Sequence, residues 1–345
     1  MAIRVAINGF GRIGRSFYRA AYARPEIEVV AINDLGDVDN LAYLLKYDTA
    51  YRQAPFSVEV AHDGDKQFLN IDGYWVRVFA EREPGNLPWS EHDIDVVVES
   101  TGFFTGYAKS KPHLDAGAKR VVITAPVKDD PAEAGVAGAT VLMGINEHAL
   151  QACQISSNAS CTTNASSPVV QILHEAIGIK KAMLNTVHAY TASQSIVDGP
   201  KEKDVRQGRA GAMNIVPTGT GAAIAVTQVV PDLASKFDGI AMRVPVVAGS
   251  IADVTFLAER ATSVEEVNQL LRDAAQTERW SKTFAVTDEP IVSSDIIGRD
   301  KASIADLSMT RVVDGDMVKV LAWYDNEMGY VSSLVEHVIK SGSFL

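Results

Sequence analysis

Cysteine is nearly missing from this chain of 345 residues: only Cys153 and Cys161 are present, which excludes a disulfide scaffold and points to reduced thiols in a reducing compartment. No apolar run approaches the roughly 20 residues that a membrane-spanning helix needs. The opening Met1-Ala2-Ile3-Arg4-Val5 enters a strand pattern without the apolar segment and cleavage site of a signal peptide, so the cytoplasm is the expected compartment. Basic residues are outnumbered, 32 against 43 acidic ones, and the net charge of -11 argues against nucleic acid or an anionic membrane as the main partner. A small anion is still admissible, because a few local arginines override the global field within a Debye length. Internal repeats and low-complexity tracts are lacking as well, and no metal site is expected.

What is present is an ordinary globular balance, 47% apolar and 22% charged, in a chain long enough to favour two domains over one. Over residues 1–160, short apolar runs at 3–7, 28–32, 95–98, 120–123 and 140–143 alternate with helical spacing such as Phe17, Ala20 and Ala21 before Pro25. Continuous rather than alternating runs predict strands covered on both faces, hence an α/β, Rossmann-type doubly wound parallel sheet. From 161 to 326 the texture changes. Longer strands at 183–188, 240–244, 251–258 and 318–324, several with period-2 alternation, predict an α+β domain with a mostly antiparallel sheet. Ser263-Val264-Glu265-Glu266 reads as a capping box before a helix with Val267, Leu270, Leu271 and Ala274 on one side. Residues 199–211 form a glycine-rich, charged excursion of the kind that is more often functional than idle. A final helix within about 327–345 is expected to dock back on the first domain.

Gly9-Phe10-Gly11-Arg12-Ile13-Gly14 follows a predicted strand and opens a helix, the context in which such a turn holds a dinucleotide pyrophosphate at a helix N-terminus. Arg12 could donate to the pyrophosphate or face solvent. Asp34 falls about twenty residues past Gly14, at the end of the second strand, where a carboxylate accepts from the adenosine ribose and repels a 2′-phosphate. That placement favours NAD.

Cys161, in Ser160-Cys161-Thr162-Thr163-Asn164, precedes a helical run with Val169, Val170, Leu173 and Ile177 on one face and Pro168 in an early turn. A thiol at a helix N-terminus feels unpaired N–H groups and the positive end of the macrodipole, so its thiolate is expected to be stabilised near neutral pH. Cys153, inside an apolar stretch, reads as a buried structural thiol. His188 ends a predicted strand beyond Cys161 and is a candidate base for a thiol and a hydride-losing thiohemiacetal. From the residues alone that role stands level with a packing role. His62, His92, His113, His148, His174 and His337 have no comparable context.

Together these residues resemble the glyceraldehyde-3-phosphate dehydrogenase family almost end to end. The segments that carry the resemblance are Asn8-Gly9-Phe10-Gly11-Arg12-Ile13-Gly14-Arg15, Leu44-Leu45-Lys46-Tyr47-Asp48, Glu99-Ser100-Thr101-Gly102 and Ser157-Asn158-Ala159-Ser160-Cys161-Thr162-Thr163-Asn164. Thr186-Val187-His188-Ala189-Tyr190-Thr191, Pro217-Thr218-Gly219-Thr220-Gly221-Ala222-Ala223, Arg243-Val244-Pro245 and Trp323-Tyr324-Asp325-Asn326-Glu327 extend it. The resemblance implies Cys161 as nucleophile and His188 as base, with hydride transfer to NAD and phosphorolysis of a thioester. It implies cofactor contacts at Gly9, Gly11, Arg12, Ile13, Gly14, Asp34, Thr101, Thr124, Asn326 and Tyr330. It places the substrate phosphate near Thr191 and Arg243, and inorganic phosphate near Ser160, Thr162, Thr220 and Gly221. A homotetramer with residues 199–211 near an interface is also implied.

Several departures stand out. Where the family usually has Lys-Asp-Leu-Arg-Arg, this chain has Lys203-Asp204-Val205-Arg206-Gln207, and the second arginine of that pair normally helps bind phosphate. Weaker phosphate binding is expected unless Arg206 or Arg209 turns inward. Thr191-Ala192-Ser193-Gln194 lacks a frequent acidic residue, Met328 replaces a frequent Trp or Thr, and Gly199 takes a usual Leu position before Pro200. Two rivals remain: a dehydrogenase of erythrose 4-phosphate or another phosphorylated aldehyde, and a non-catalytic NAD- or RNA-binding accessory protein.

Overall fold

The computed structural model describes residues 2–202 and 204–345; Met1 and Lys203, the first residue of the departing segment, lie outside them. The chain divides into two compact units, Met1–Ala159 with Leu334–Leu345, and Ser160–Ser333.

In the first unit, β1 (Ile3–Asn8), β2 (Ile27–Asn33), β3 (Glu59–Asp63), β4 (Lys66–Ile71), β5 (Tyr74–Phe79), β6 (Val96–Glu99), β7 (Arg120–Ile123), β8 (Gly138–Thr140) and β9 (Ile155–Ser157) form a nine-stranded sheet. Their order is β8-β9-β7-β6-β1-β2-β5-β4-β3. Valine and isoleucine dominate β6 and β7, and every residue of both strands is buried, as strands covered on both faces require. The chain leaves β1 for α1 (Arg12–Ala21) and returns to β2 on one side, while β6 pairs with β1 on the other. The strand order therefore reverses at β1, and a crevice opens at the carboxyl ends there.

Two expectations need correction in this unit. The sheet is not wholly parallel, because β3 and β4 add an antiparallel edge to β5. The signal was legible: Asp72-Gly73 between β4 and β5 has φ of 47° and 90°, the pair of positive values that a two-residue hairpin turn demands. The strand expected at 140–143 lies instead at Gly138–Thr140. Asn146 accounts for the shift, since its side chain accepts from the N–H of Leu142 and donates to the carbonyl of Thr140, turning the chain off the sheet.

The second unit carries α2 (Cys161–Ile177), β10 (Ile179–Ala189), β11 (Val216–Gly219), α3 (Ala222–Val229), β12 (Phe237–Val244), β13 (Ser250–Ala258), α4 (Val264–Ala275), β14 (Phe284–Thr287), β15 (Ser303–Val313) and β16 (Met317–Tyr324). Its seven-stranded sheet runs β11-β12-β10-β13-β16-β15-β14; β10 pairs parallel with β12 and β14 with β15, and the other ladders are antiparallel. Burial alternates residue by residue along β13, the mark of a sheet with one face on a core. Against that face lies α2, whose Val169, Val170, Leu173 and Ile177 are all buried. Ser263 caps α4 by accepting from the Glu266 N–H at 3.2 Å, and Val267 and Leu271 face inward.

Pro168 lies in the interior of α2 rather than in an early turn, because the helix already begins at Cys161. Just before this proline, the Ser166 and Ser167 hydroxyls donate back to the carbonyls of Thr162 and Thr163 one turn earlier. The last helix, α5 (Met328–Gly342), lies inside the expected range 327–345 and is divided between the units after Ser333. In the first unit its Glu336 pairs with Arg24 at 2.6 Å, and its buried His337 accepts from Ser156 and donates to Asn158.

Candidate functional site

Each unit presents its own constellation. In the first, a crevice of about 620 Å³ opens at the strand-order reversal, lined among others by Asn8, Gly9, Gly11, Asp34 and Thr101. The three glycines do different work. Gly9 has φ +90°, and a side chain there would lie 2.6 Å from the Thr101 nitrogen. A Cβ on Gly14 would stand 2.2 Å from the Gly9 carbonyl oxygen, so this glycine lets α1 lie against the turn. Gly11 has nothing within 4 Å of its missing side chain: it keeps the helix N-terminus open to the crevice. Asp34 accepts from the N–H groups of Phe10 at 2.6 Å and Gly36 at 2.8 Å, which fixes the carboxylate at the crevice wall with lone pairs to spare for sugar hydroxyls.

Of the residues that the resemblance assigns to the cofactor, Gly9, Gly11, Asp34 and Thr101 line this crevice, whereas Arg12, Ile13, Gly14 and Thr124 do not. The Arg12 guanidinium pairs with Asp48 and lies 5.6 Å from the Tyr51 ring centre. Thr124 meets β6 through its N–H, which donates to the Glu99 carbonyl. Asn326 and Tyr330 belong to the second unit, where Asn326 Oδ1 accepts from Ser250 Oγ at 3.1 Å. Fixing the carbonyl end leaves the amide N–H₂ as the end that can donate to a ligand.

In the second unit the nucleophile candidate is set by a cap. Ala159 takes a left-handed φ of 53°, Ser160 becomes the N-cap of α2 and accepts from the Thr163 N–H at 3.2 Å, and Cys161 is thereby the first helical residue. The register between β10 and β12 sets His188 beside Arg243. His188 Nε2 stands 3.4 Å from Cys161 Sγ, and its Nδ1 lies 2.6 Å from the Ala189 carbonyl oxygen. Two groups contest Nδ1: the Ala189 carbonyl can only accept there, whereas the Arg243 guanidinium can only donate, and Nε2 is the nitrogen left to face the sulfur. Arg243 Nη1 comes within 2.5 Å of the same Nδ1 and 3.2 Å of the carbonyl.

The electrostatics revise the expectation of a resting thiolate. Burial raises the Cys161 thiol above its ordinary range; Arg243, the Thr162 hydroxyl and the N–H groups at the helix start oppose this without reversing it. Burial, helped by the Arg243 charge and opposed by the Ala189 carbonyl, lowers His188 to about 3. Both shifts favour the neutral forms, a thiol facing an imidazole, an arrangement in which the proton leaves sulfur as sulfur bonds to an electrophile.

Sequence reasoning missed Tyr324. Its ring stands edge-on to His188, with centroids 5.9 Å apart, and its buried hydroxyl meets Thr186 at 2.7 Å and Thr162 at 2.9 Å. Because Thr186 donates onward to the Ile251 carbonyl, the proton order runs from Thr162 through Tyr324 to Thr186. The alternation of β16 was the available signal, since it turns Tyr324 to the same buried face as Val318, Val320 and Ala322. Cys161, His188, Arg243 and Thr162 are thus brought together. Thr191 lies just past β10 with its hydroxyl 3.0 Å from that of Ser193, while Thr220 and the N-cap Gly221 open α3, which packs on α2. Among the described residues, no group of three His, Cys, Asp or Glu side chains is placed to hold a metal.

Comparison with known proteins gives one answer over both units. The family model described as glyceraldehyde 3-phosphate dehydrogenase, NAD binding domain, matches residues 3–107, and that described as the C-terminal domain matches residues 160–326. Glyceraldehyde-3-phosphate dehydrogenase of Geobacillus stearothermophilus is 46% identical over 338 residues, covering 97% of each chain. That of Mycobacterium bovis is 46% identical over the full length of both, and glyceraldehyde-3-phosphate dehydrogenase 1 of Bacillus subtilis is 44% identical over 99% of this chain and all of its own.

Proposed function

Because the chain belongs to the glyceraldehyde-3-phosphate dehydrogenase family, we propose that it oxidises D-glyceraldehyde 3-phosphate to 1,3-bisphosphoglycerate with reduction of NAD, through a thioester on Cys161. The observation that carries this reading is the Cys161 sulfur 3.4 Å from the imidazole Nε2 of His188.

The residues fit the cofactor. An open Gly11 at the start of α1, a close-packed Gly14 and a fixed Asp34 suit a pyrophosphate and an unphosphorylated ribose. When bound, NAD accepts the hydride that leaves the substrate carbon. The chain supplies the rest. Cys161 adds to the aldehyde carbon while His188 takes the thiol proton and returns it to the oxygen, giving a thiohemiacetal. His188 then removes the hydroxyl proton as the hydride departs, leaving the thioester. Inorganic phosphate attacks the acyl carbon, and the sulfur leaves as the acyl phosphate forms. Arg243 with Thr191 supplies charge-assisted donors for the substrate phosphate; Ser160, Thr162, Thr220 and Gly221, at the starts of α2 and α3, suit the attacking phosphate. Asn326, with Tyr330, offers its free amide end to the nicotinamide carboxamide.

The exposed apolar side chain of Val205, with Ile196, Val197, Met213 and Ile215 to either side of residues 199–211, supports a homotetramer with residues 199–211 near an interface. Among the described residues no helix is long and apolar enough to cross a membrane, and two free cysteines support a place in the reducing cytoplasm. The test is phosphate-dependent NAD reduction with glyceraldehyde 3-phosphate, with erythrose 4-phosphate as the comparison substrate. Cys161→Ser is expected to lose about 10⁴-fold or more in kcat. Parental activity in that variant would overturn the covalent route.

A further inference from the structure

The register of the first sheet sets Asn8, Asn33 and Glu99 side by side at the carboxyl ends of β1, β2 and β6. Glu99 is 2% exposed, Asn8 1% and His113 0%, so each polar atom there must find a partner within the protein. The partners are all donors. Glu99 Oε1 accepts from the Thr101 N–H at 2.8 Å and from the Thr101 hydroxyl at 2.5 Å. Its Oε2 accepts from Asn8 Nδ2 at 2.5 Å and from His113 Nε2 at 3.1 Å.

Each donor is in turn held in its direction. Trp89 Nε1–H donates to His113 Nδ1 at 2.9 Å; indole nitrogen can only donate, so the imidazole proton sits on Nε2, facing Glu99. Asn33 Nδ2 donates to Asn8 Oδ1 at 2.7 Å, which fixes the Asn8 amide with its N–H₂ toward the carboxylate. Asn33 is pinned by the backbone of Glu81, to which it both donates and accepts at 2.8 Å. The assembly reaches the crevice at Asn8, Asn33, Glu81 and Thr101, while Glu99, His113 and Trp89 stand behind it. It also abuts the glycine turn: Thr101 backbone lies where a Gly9 side chain would be, and Ser100 Oγ donates to the Gly9 carbonyl at 2.6 Å.

We propose that Glu99, backed by His113 and Trp89, is the positioning residue of the dinucleotide crevice, holding Thr101 and Asn8 against the glycine turn before the cofactor arrives. The inference rests on this crevice being the NAD site. A buried acceptor satisfied by four donors preorganises those donors, and ligand affinity then escapes the cost of ordering them.

Glu99→Gln tests it, because whichever way the amide turns its N–H₂ meets a backbone N–H or a tautomer locked by Trp89. Calorimetric titration of the purified protein with NAD is expected to show Kd raised about tenfold, and KM for NAD should follow. The kcat at saturating NAD should stay within about twofold of the parent and iodoacetamide labelling of Cys161 should be unchanged, since neither involves the crevice's order once it is filled. Glu99→Asp, which keeps the acceptors, is expected to fall between. If Glu99→Gln does not fold, Trp89→Phe decides the matter: it frees the His113 tautomer and should raise Kd about threefold. Kd unchanged in a folded Glu99→Gln protein, or in Trp89→Phe where that variant is the one tested, overturns the inference. So does a fall in kcat that merely tracks a lower melting temperature. If NAD binding is lost in Asp34→Ala but untouched in Glu99→Gln, the inference alone fails; parental protein that binds no NAD would take down the reading of the crevice as well.

Discussion

The side-chain amide of Gln207 donates to the Thr218 hydroxyl at 3.1 Å, close in sequence to Thr220 and Gly221. Arg206 and Arg209 do not stand in for the arginine usual at that position, because each is held at an exposed site by a neighbouring carboxylate, Asp204 and Asp198 respectively. On the proposed role of Thr220 and Gly221, the attacking phosphate would meet only neutral donors from this segment, and a hydrogen bond to a charged donor is roughly twice as strong as one between neutral groups. Gln207→Arg is therefore expected to lower the phosphate KM about fivefold while the KM for glyceraldehyde 3-phosphate holds. Steady-state kinetics with phosphate varied would show it, and an unchanged phosphate KM would remove the idea. At this scale the residues by themselves carried Cys161, while the role of Arg243, the departure at Gln207 and the choice of His188 as base over packing came only with the family resemblance, since the place of the His188 ring is set by the β10–β12 register.

The turn from β1 into α1 uses one residue type for opposed purposes, so substitutions within it should separate. Gly14→Ala forces a methyl group to within 2.2 Å of the Gly9 carbonyl, a backbone atom that cannot swing away. A loss of about 3 kcal/mol or more in urea unfolding is expected, as for other overpacked sites. Gly11→Ala meets no atom of the protein and should change stability by less than about 0.5 kcal/mol, yet raise the Kd for NAD about tenfold by filling the approach to the helix N-terminus. Equal effects of the two on folding would contradict the division of roles. Elements with strong local signals were legible in the sequence, including the continuous valines of β6 and the capped helix α4. The β3–β4 edge was passed over although Asp72-Gly73 announces it, and the 140–143 strand was misplaced because the side-chain amide of nearby Asn146 takes up the Thr140 carbonyl and the Leu142 N–H.

Across the molecule, acid should act through two buried histidines. Burial lowers both His188 and His337 to about 3, while unfolded histidine titrates near 6.5. Below about pH 6.5 the unfolded chain takes up protons that the folded chain refuses, so the stability contributed by the neutral rings is complete above that value and is lost as pH falls toward 3. Each ring contributes up to about 1.4 kcal/mol per pH unit in that window. Unfolding free energies at pH 7, 6, 5 and 4 should therefore decline, and His337→Gln should flatten the slope by about half of this histidine share. A slope identical to the parent would show that His337 takes up its proton as readily in the folded protein as in the unfolded chain.

Composition and order of residues determined a two-unit α/β and α+β architecture, a glycine turn before a helix, and a cysteine at a helix start, because each rests on local periodicity, φ preference or capping within a few residues. Tertiary structure alone decided which groups share a proton or a charge. His188 meets Cys161, Tyr324 meets Thr162, and Glu99 meets His113 only through strand register and burial, over sequence separations that no local pattern spans. The upward shift of the Cys161 thiol belongs to the same class: the helix start favours its ionisation, but burial, a property of the packed whole, outweighs it.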